Sequence, residues 1–421
     1  MTAEAHFVAE YGRVKAALAG ADVAWLAAER EAAMARFREL GLPSTRLEAW
    51  RYTNLNPLKK LEFAPLNGAG EASPVTIEPG VARLVNGHFA GAGELPAGVR
   101  VDGLADLLAH EPAALAGRLG ALTAPGDGVI ALNAALMQDG VVLRVAPGAR
   151  VDAPLTLEFA GSGGARTVPH FPRVLIVVGQ GAALDLVERH GGTGAYLADG
   201  RAEIFLEPGA RLRHVKLLGD DRAAFHLWSS QIEVAAGAAY DGFVLTAGGR
   251  ISRQDIAVRL AGPGGRCDLA GAYLGVGDQV IDMTTLIDHA APECTSREVF
   301  KGVLDDRARS VFQGTVQVRA GAQQTDSHQL SRALLLSDQA EANAKPALEI
   351  LADDVKCGHG ATAGELDDEA LFYLRSRGIP EPAARGLLIE AFLADVIDGI
   401  AVAPGREAAR AVLDRWLKGR F

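Results

Sequence analysis

The sequence predicts a mainly β protein, a right-handed parallel β-helix core flanked by N-terminal and C-terminal helical regions. Three observations carry this reading. Apolar residues recur at spacings of three and four at both ends of the chain, the period of an amphipathic helix. Between the ends, short runs of Val, Leu, Ile and Phe alternate with Gly-rich turns. A Gly-Ala pair punctuates those turns at 148–149, 181–182, 209–210, 237–238 and 321–322, with intervals of 33, 28, 28 and 84, the last being three times 28. The two skipped marks fall near 265, where Gly264-Gly265 stands, and at Glu293, which has only a Pro-containing turn. A fixed period of this size describes stacked coils better than a sandwich. The low aromatic content, 6%, suits a narrow interior.

The elements follow in order. Phe7, Val8, Tyr11, Val14 and Leu18 line one helix, and Leu26, Ala33, Phe37 and Leu40 a second. Gly41-Leu42-Pro43-Ser44 stops the second helix. Trp50, with Arg51 and Tyr52, reads as a packing anchor, and Asn67 to about Pro74 as a linker. Helical periodicity disappears from about Gly126, and the solenoid is expected to end near Ala352. Asp367-Asp368-Glu369 places negative charge at the start of a helix, where the dipole favours it. Gly378 ends that helix, Pro380 and Pro382 open the next, and Ala384, Leu387, Leu388, Ala391 and Phe392 form its apolar stripe. A last helix runs to Trp416. The division is 1–125 (helical region with linker and small strands), 126–355 (β-helix) and 356–421 (helical domain).

Composition narrows the function. A net charge of −10, with 34 Arg and 8 Lys but no basic run of four, argues against nucleic acid. Three cysteines, at 267, 294 and 357, are too few for a disulfide framework, so a reducing compartment is expected. The N-terminus lacks a basic and apolar leader, and the densest apolar run, Val174–Val178, is far too short to span a bilayer, so the expectation is a cytoplasmic protein without a membrane segment. No lysine precedes Ser or Thr, which rules out a Walker A loop. His110-Glu111-Pro112 is not a zincin motif, and no Gly-x-Ser-x-Gly elbow is present.

One segment reads as chemistry: Lys356-Cys357-Gly358-His359-Gly360-Ala361-Thr362. On an extended chain Cys357 and His359 share a face, so a thiol and an imidazole can meet one soft metal or one sulfur. Lys356 beside Cys357 is expected to favour the thiolate. Two ligands are an incomplete metal site, so a second chain would complete it. Asp288-His289-Ala290-Ala291-Pro292-Glu293-Cys294 is a weaker candidate, with His289, Glu293 and Cys294 as potential ligands. Cys267 and Cys294, 27 residues apart, read as buried small hydrophobes on neighbouring coils, and His328 as a surface residue. The remaining histidines show no pairing at ligand spacing.

Ser296-Arg297-Glu298-Val299-Phe300-Lys301-Gly302-Val303-Leu304, Val311-Phe312-Gln313-Gly314, Ala322-Gln323-Gln324-Thr325-Asp326, Leu334-Leu335-Leu336-Ser337, Lys345-Pro346-Ala347-Leu348-Glu349-Ile350, the Cys357 segment and Leu371-Phe372-Tyr373-Leu374-Arg375-Ser376-Arg377-Gly378-Ile379 keep the order of the SufB/SufD family of iron–sulfur assembly scaffolds. The chain resembles that family over about 290–400, and Glu48-Ala49-Trp50-Arg51-Tyr52-Thr53 is similar to the N-terminal signature of its SufD branch. The resemblance implies a non-catalytic scaffold in a cytosolic complex with a SufB-like paralogue and the ATPase SufC, with a homodimer as the alternative when the paralogue is missing. It implies that His359, with Cys357, holds iron or a transient iron–sulfur cluster shared with SufB. Leu371, Phe372, Tyr373, Arg375, Arg377, Leu388 and Phe392 would lie on helices that dock SufC. It also implies a flavin association of the complex, to which no residue here is matched. Glu293 departs from the histidine of many SufD-like chains. Two rival readings are a β-helix carbohydrate-active enzyme, which would carry a row of acids along its groove, and a SufB-like chain accepting sulfur on Cys267 or Cys294.

Overall fold

Inward-facing residues of successive strands stack in register, and this stacking builds the fold. In the computed structural model, which describes residues 2–66, 76–122 and 126–420, two ten-stranded sheets wind into a β-solenoid of about eight coils. One sheet runs from His88–Ala92 and Val81–Val85 to Thr325–Leu335 and Val355–Gly364. The other runs from Val99–Gly103 and Gly140–Val145 to Arg309–Val318 and Glu341–Ile350. Pairing is parallel except at the first strands. The expected linker at 67–74 lies outside the described residues.

The corners explain the Gly-Ala period. Gly148, Gly181, Gly209, Gly237 and Gly264 all have positive φ, the left-handed conformation each corner needs. Glu293 takes the same conformation (φ 60°) at the mark where no glycine stands. In the next coil the left-handed residue is Gln324, not Gly321. The lumen is filled by pairing large side chains with glycine. Trp228 lies over Gly200, Phe300 over Gly271 and Tyr273 over Gly302, each pair in register on adjacent strands.

Helices cover both outer faces. α1 (Ala3–Val14), α2 (Ala24–Leu40), α3 (Asn56–Lys59), α4 (Leu104–His110) and α5 (Gly128–Leu136) make up the N-terminal region. Phe7, Tyr11, Met34 and Phe37 pack with Leu197, Phe225, Leu227 and Ile251 on one sheet. Trp50 is the anchor: its ring stacks on the guanidinium of Arg253 at 4.0 Å, and its indole N–H donates to Asp127. Arg253 is itself buried between Asp255 (2.7 Å) and Asp282 (2.6 Å). α7 (Glu381–Asp398) and α8 (Ala403–Lys418) cover the other sheet, and α6 (Asp368–Ser376) packs on α7. Asp367 caps α6 by accepting from the Glu369 and Ala370 amides.

Four expectations are corrected. α5 follows Gly126, where helical periodicity was expected to have vanished; its apolar residues surround it because it is buried against α2 and the sheet. The small strands expected before 126 are present but belong to the solenoid sheets, which therefore begin at Val81. The last strand runs to Gly364, beyond the expected end at 352–355, because pairing with Thr325–Leu335 holds a glycine-rich segment extended. The stripe of α7 is Ala384, Ile389, Leu393, Val396 and Ile397, while Leu387 is exposed. That helix is apolar on more than one face, and contact with Val303 and Ala272 of the sheet selects the face.

Candidate functional site

Strand alternation sends Cys357 and His359 to the inner face of the last strand, at the open end of the solenoid. The register shows this directly: Cys357 continues the inward row Cys267, Ser296, Ser327, and His359 continues Leu269, Glu298, Gln329. Cys357 is half-buried and His359 exposed. Val355–Gly364 and Glu341–Ile350 each pair on one side only, leaving two free sheet edges. Ile350 and Leu351 are exposed apolar residues at the same end.

Lys356 does not favour the Cys357 thiolate. It points to the opposite face of the strand, and burial, reinforced by the charge of Asp326, pushes the thiol pKa up. Among the described residues no group of three or more His, Cys, Asp or Glu side chains is placed to hold a metal ion, so no third such side chain joins Cys357 and His359.

The structure separates the weaker candidates. His289 is buried in the lumen, where its Nε2 lies 2.9 Å from Ser296 Oγ, which lies 2.8 Å from Ser327 Oγ. Cys294 is buried and donates to the Gly262 carbonyl. Glu293 faces solvent. Cys267 is buried, and burial holds its thiol well above the ordinary range. It lies opposite Ser296, not Cys294. His328 is exposed beside Asp326.

The C-terminal candidates divide into two groups. Phe372 (73% exposed) and Tyr373 (57%) project from α6, with Arg377 over the Tyr373 ring. Arg375 pairs with Glu381. Leu371 is buried, Leu388 is half-buried, and Phe392 packs against the sheet, where Lys301 donates to its carbonyl and pairs with Asp395.

Sequence reasoning missed a buried acid–base network. Glu188 is 2.9 Å from Lys216 Nζ, 2.5 Å from His190 Nε2 and 3.0 Å from His214 Nε2, and Tyr240 OH is 3.3 Å from His214 Nδ1. Burial works against the Glu188 carboxylate, yet Lys216 and the imidazoles outweigh it and hold it well below the usual range. Burial pushes His190 down to about 4. Asp220 links Tyr196 (2.6 Å) and His226 (3.1 Å) nearby. The histidines therefore do have partners: Glu188 lies two residues from His190 and one coil from His214. The available signal was Glu188-x-His190 and His214-x-Lys216, polar pairs at inward positions of two paired strands.

Known proteins are similar to this sequence along most of its length. Residues 160–392 match the family described as SUF system FeS cluster assembly, SufBD core domain, and residues 1–74 and 75–157 match the SufBD protein N-terminal region. An iron–sulfur cluster assembly SufBD family protein of Synechocystis is 30% identical over 410 residues, covering 92% of this chain and 90% of the relative. The chloroplastic protein ABCI7 of Arabidopsis thaliana is 30% identical over 388 residues, 87% and 80% of the two chains. The iron–sulfur cluster assembly protein SufD of Escherichia coli is 29% identical over 381 residues, 86% of each chain. Among the described residues no helix is long and apolar enough to cross a membrane. A solenoid ending in a thiol and an imidazole, together with family matches along most of its length, places this chain in the SufBD family of iron–sulfur cluster assembly proteins.

Proposed function

We propose that the chain is a non-catalytic scaffold subunit that pairs with a SufB-like paralogue through the open end of its solenoid. Iron or a nascent iron–sulfur cluster is the cargo, held between the two chains. The observation that carries this reading is the placement of Cys357 and His359 on one inward face beside two unpaired sheet edges. Free edges recruit strands from a second chain, and a thiol with an imidazole supplies half of a soft tetrahedral set. Both other cysteines are buried with their thiols pushed up, which disfavours sulfur acceptance on this chain.

Co-expression with the SufB-like chain and a SufC-type ATPase tests the reading. His359→Ala is expected to leave the complex assembled and to reduce its iron–sulfur content at least about tenfold. Unchanged content would make His359 structural and assign the cargo chemistry to the partner.

The same reading places the ATPase on α6, where Phe372 and Tyr373 are exposed. Phe372→Ala and Tyr373→Ala are each expected to weaken ATPase binding about 30-fold, as for aromatic interface anchors, without lowering the melting temperature. Leu371→Ala should instead destabilise the chain, since Leu371 is buried. Calorimetric titration of the ATPase and thermal melts separate these outcomes; undiminished binding by both surface variants would move the docking site elsewhere.

A further inference from the structure

The inward row ending at His359 carries two polar residues that packing alone does not explain. Glu298 is buried and makes no ion pair among the described residues. Its Oε2 accepts a 2.6 Å hydrogen bond from Gln329 Nε2. Gln329 is also buried, and its Oε1 has no hydrogen-bond partner among the described residues. Space for this amide is provided across the lumen: a Cβ on Gly314 would lie 2.1 Å from Gln329 Nε2. Because the NH2 and C=O of an amide point apart, donation to Glu298 turns Oε1 away from that coil. The next residue along the row is His359.

An imidazole that binds metal through one nitrogen is usually held by an acceptor at the other, which selects the tautomer and aims the ring. Gln329, whose buried Oε1 is unpartnered among the described residues, and His359 are register partners on adjacent strands whose backbones lie about 4.8 Å apart, within reach of that task. We infer that Glu298 and Gln329 are positioning residues for His359: Glu298 fixes the amide, and Gln329 Oε1 accepts the ring N–H of His359 when cargo occupies the other nitrogen. The inference rests on the reading of His359 as a cargo ligand. It assigns no ligand role to Glu298 or Gln329.

The test uses the assembled complex with the SufB-like chain and the ATPase, titrated anaerobically with ferrous iron. Gln329→Ala and the near-isosteric Glu298→Gln are each expected to weaken iron binding by roughly tenfold or more. The exchange Glu298→Gln/Gln329→Glu should restore binding to within about threefold. The amide introduced at position 298 can donate to the carboxylate introduced at position 329, whose second oxygen can accept from His359. Restoration distinguishes positioning from structural damage, which a second substitution would deepen. Wild-type iron affinity in both single variants, with His359→Ala defective, would overturn the inference and leave the proposed function standing. Wild-type affinity in His359→Ala would overturn both.

Discussion

Lys216→Met is expected to lower the unfolding free energy by about 3 kcal/mol or more, because it strands a carboxylate in the lumen. Glu188 is fully buried, and among the described residues Lys216 is the only permanent cation touching it; His190 and His214 meet it through Nε2. In the variant the site must bury a net negative charge or protonate an imidazole, and burial already pushes His190 down to about 4. Methionine keeps an unbranched stem, so lost packing contributes little, while the ammonium's contact over the Trp228 ring (4.1 Å) goes with the charge. The double variant Glu188→Gln/Lys216→Met should recover most of the loss, since one imidazole can still donate to the amide carbonyl introduced at position 188 and the other, as the opposite tautomer, can accept from its NH2. Urea unfolding of the three variants measures the coupling. If the double variant is as unstable as Lys216→Met, the cost lies in shape and not in charge.

Gly302→Ala is expected to cost about 3 kcal/mol, unusually much for a single methyl group. A Cβ at position 302 would lie 1.6 Å from Cε2 of Tyr273, well inside contact distance. Tyr273 cannot easily retreat: it is buried, and Ser310 donates to its hydroxyl at 3.3 Å. Overpacking of a close-packed interior typically costs about 1–3 kcal/mol, and this clash falls at the upper end. Tyr273→Leu in the same chain should relieve much of it. Gly321→Ala is the control, because a Cβ there meets nothing within 4 Å, and its effect should stay within about 0.5 kcal/mol. Equal midpoints for Gly302→Ala and Gly321→Ala in denaturant would show that the lumen yields to the added methyl.

Much of the candidate site was legible because alternation is local. Cys357 and His359 are two residues apart, and any extended backbone puts them on one face. The charge effect of Lys356 was misjudged for the same reason in reverse: a neighbour one residue away points to the other face, and desolvation of the thiol dominates. Glu298 enters the sequence reading only within a segment of resemblance, and Gln329 not at all. Their relation to each other and to His359 depends on strand register, which brings together residues 31 and 30 positions apart.

The helical ends, the stop at Gly41, the acidic start of α6, the periodic corners and the shared face of Cys357 and His359 could all be read from the chain alone, because each depends on contacts within a few residues. Three features waited for the folded molecule: which face of α7 packs, the extension of the last coil to Gly364, and the joining of Glu188, Lys216, His190 and His214 in one buried network. A solenoid places residues about one coil apart side by side, so its charge pairing and close packing are set by register between coils, which no short-range pattern specifies.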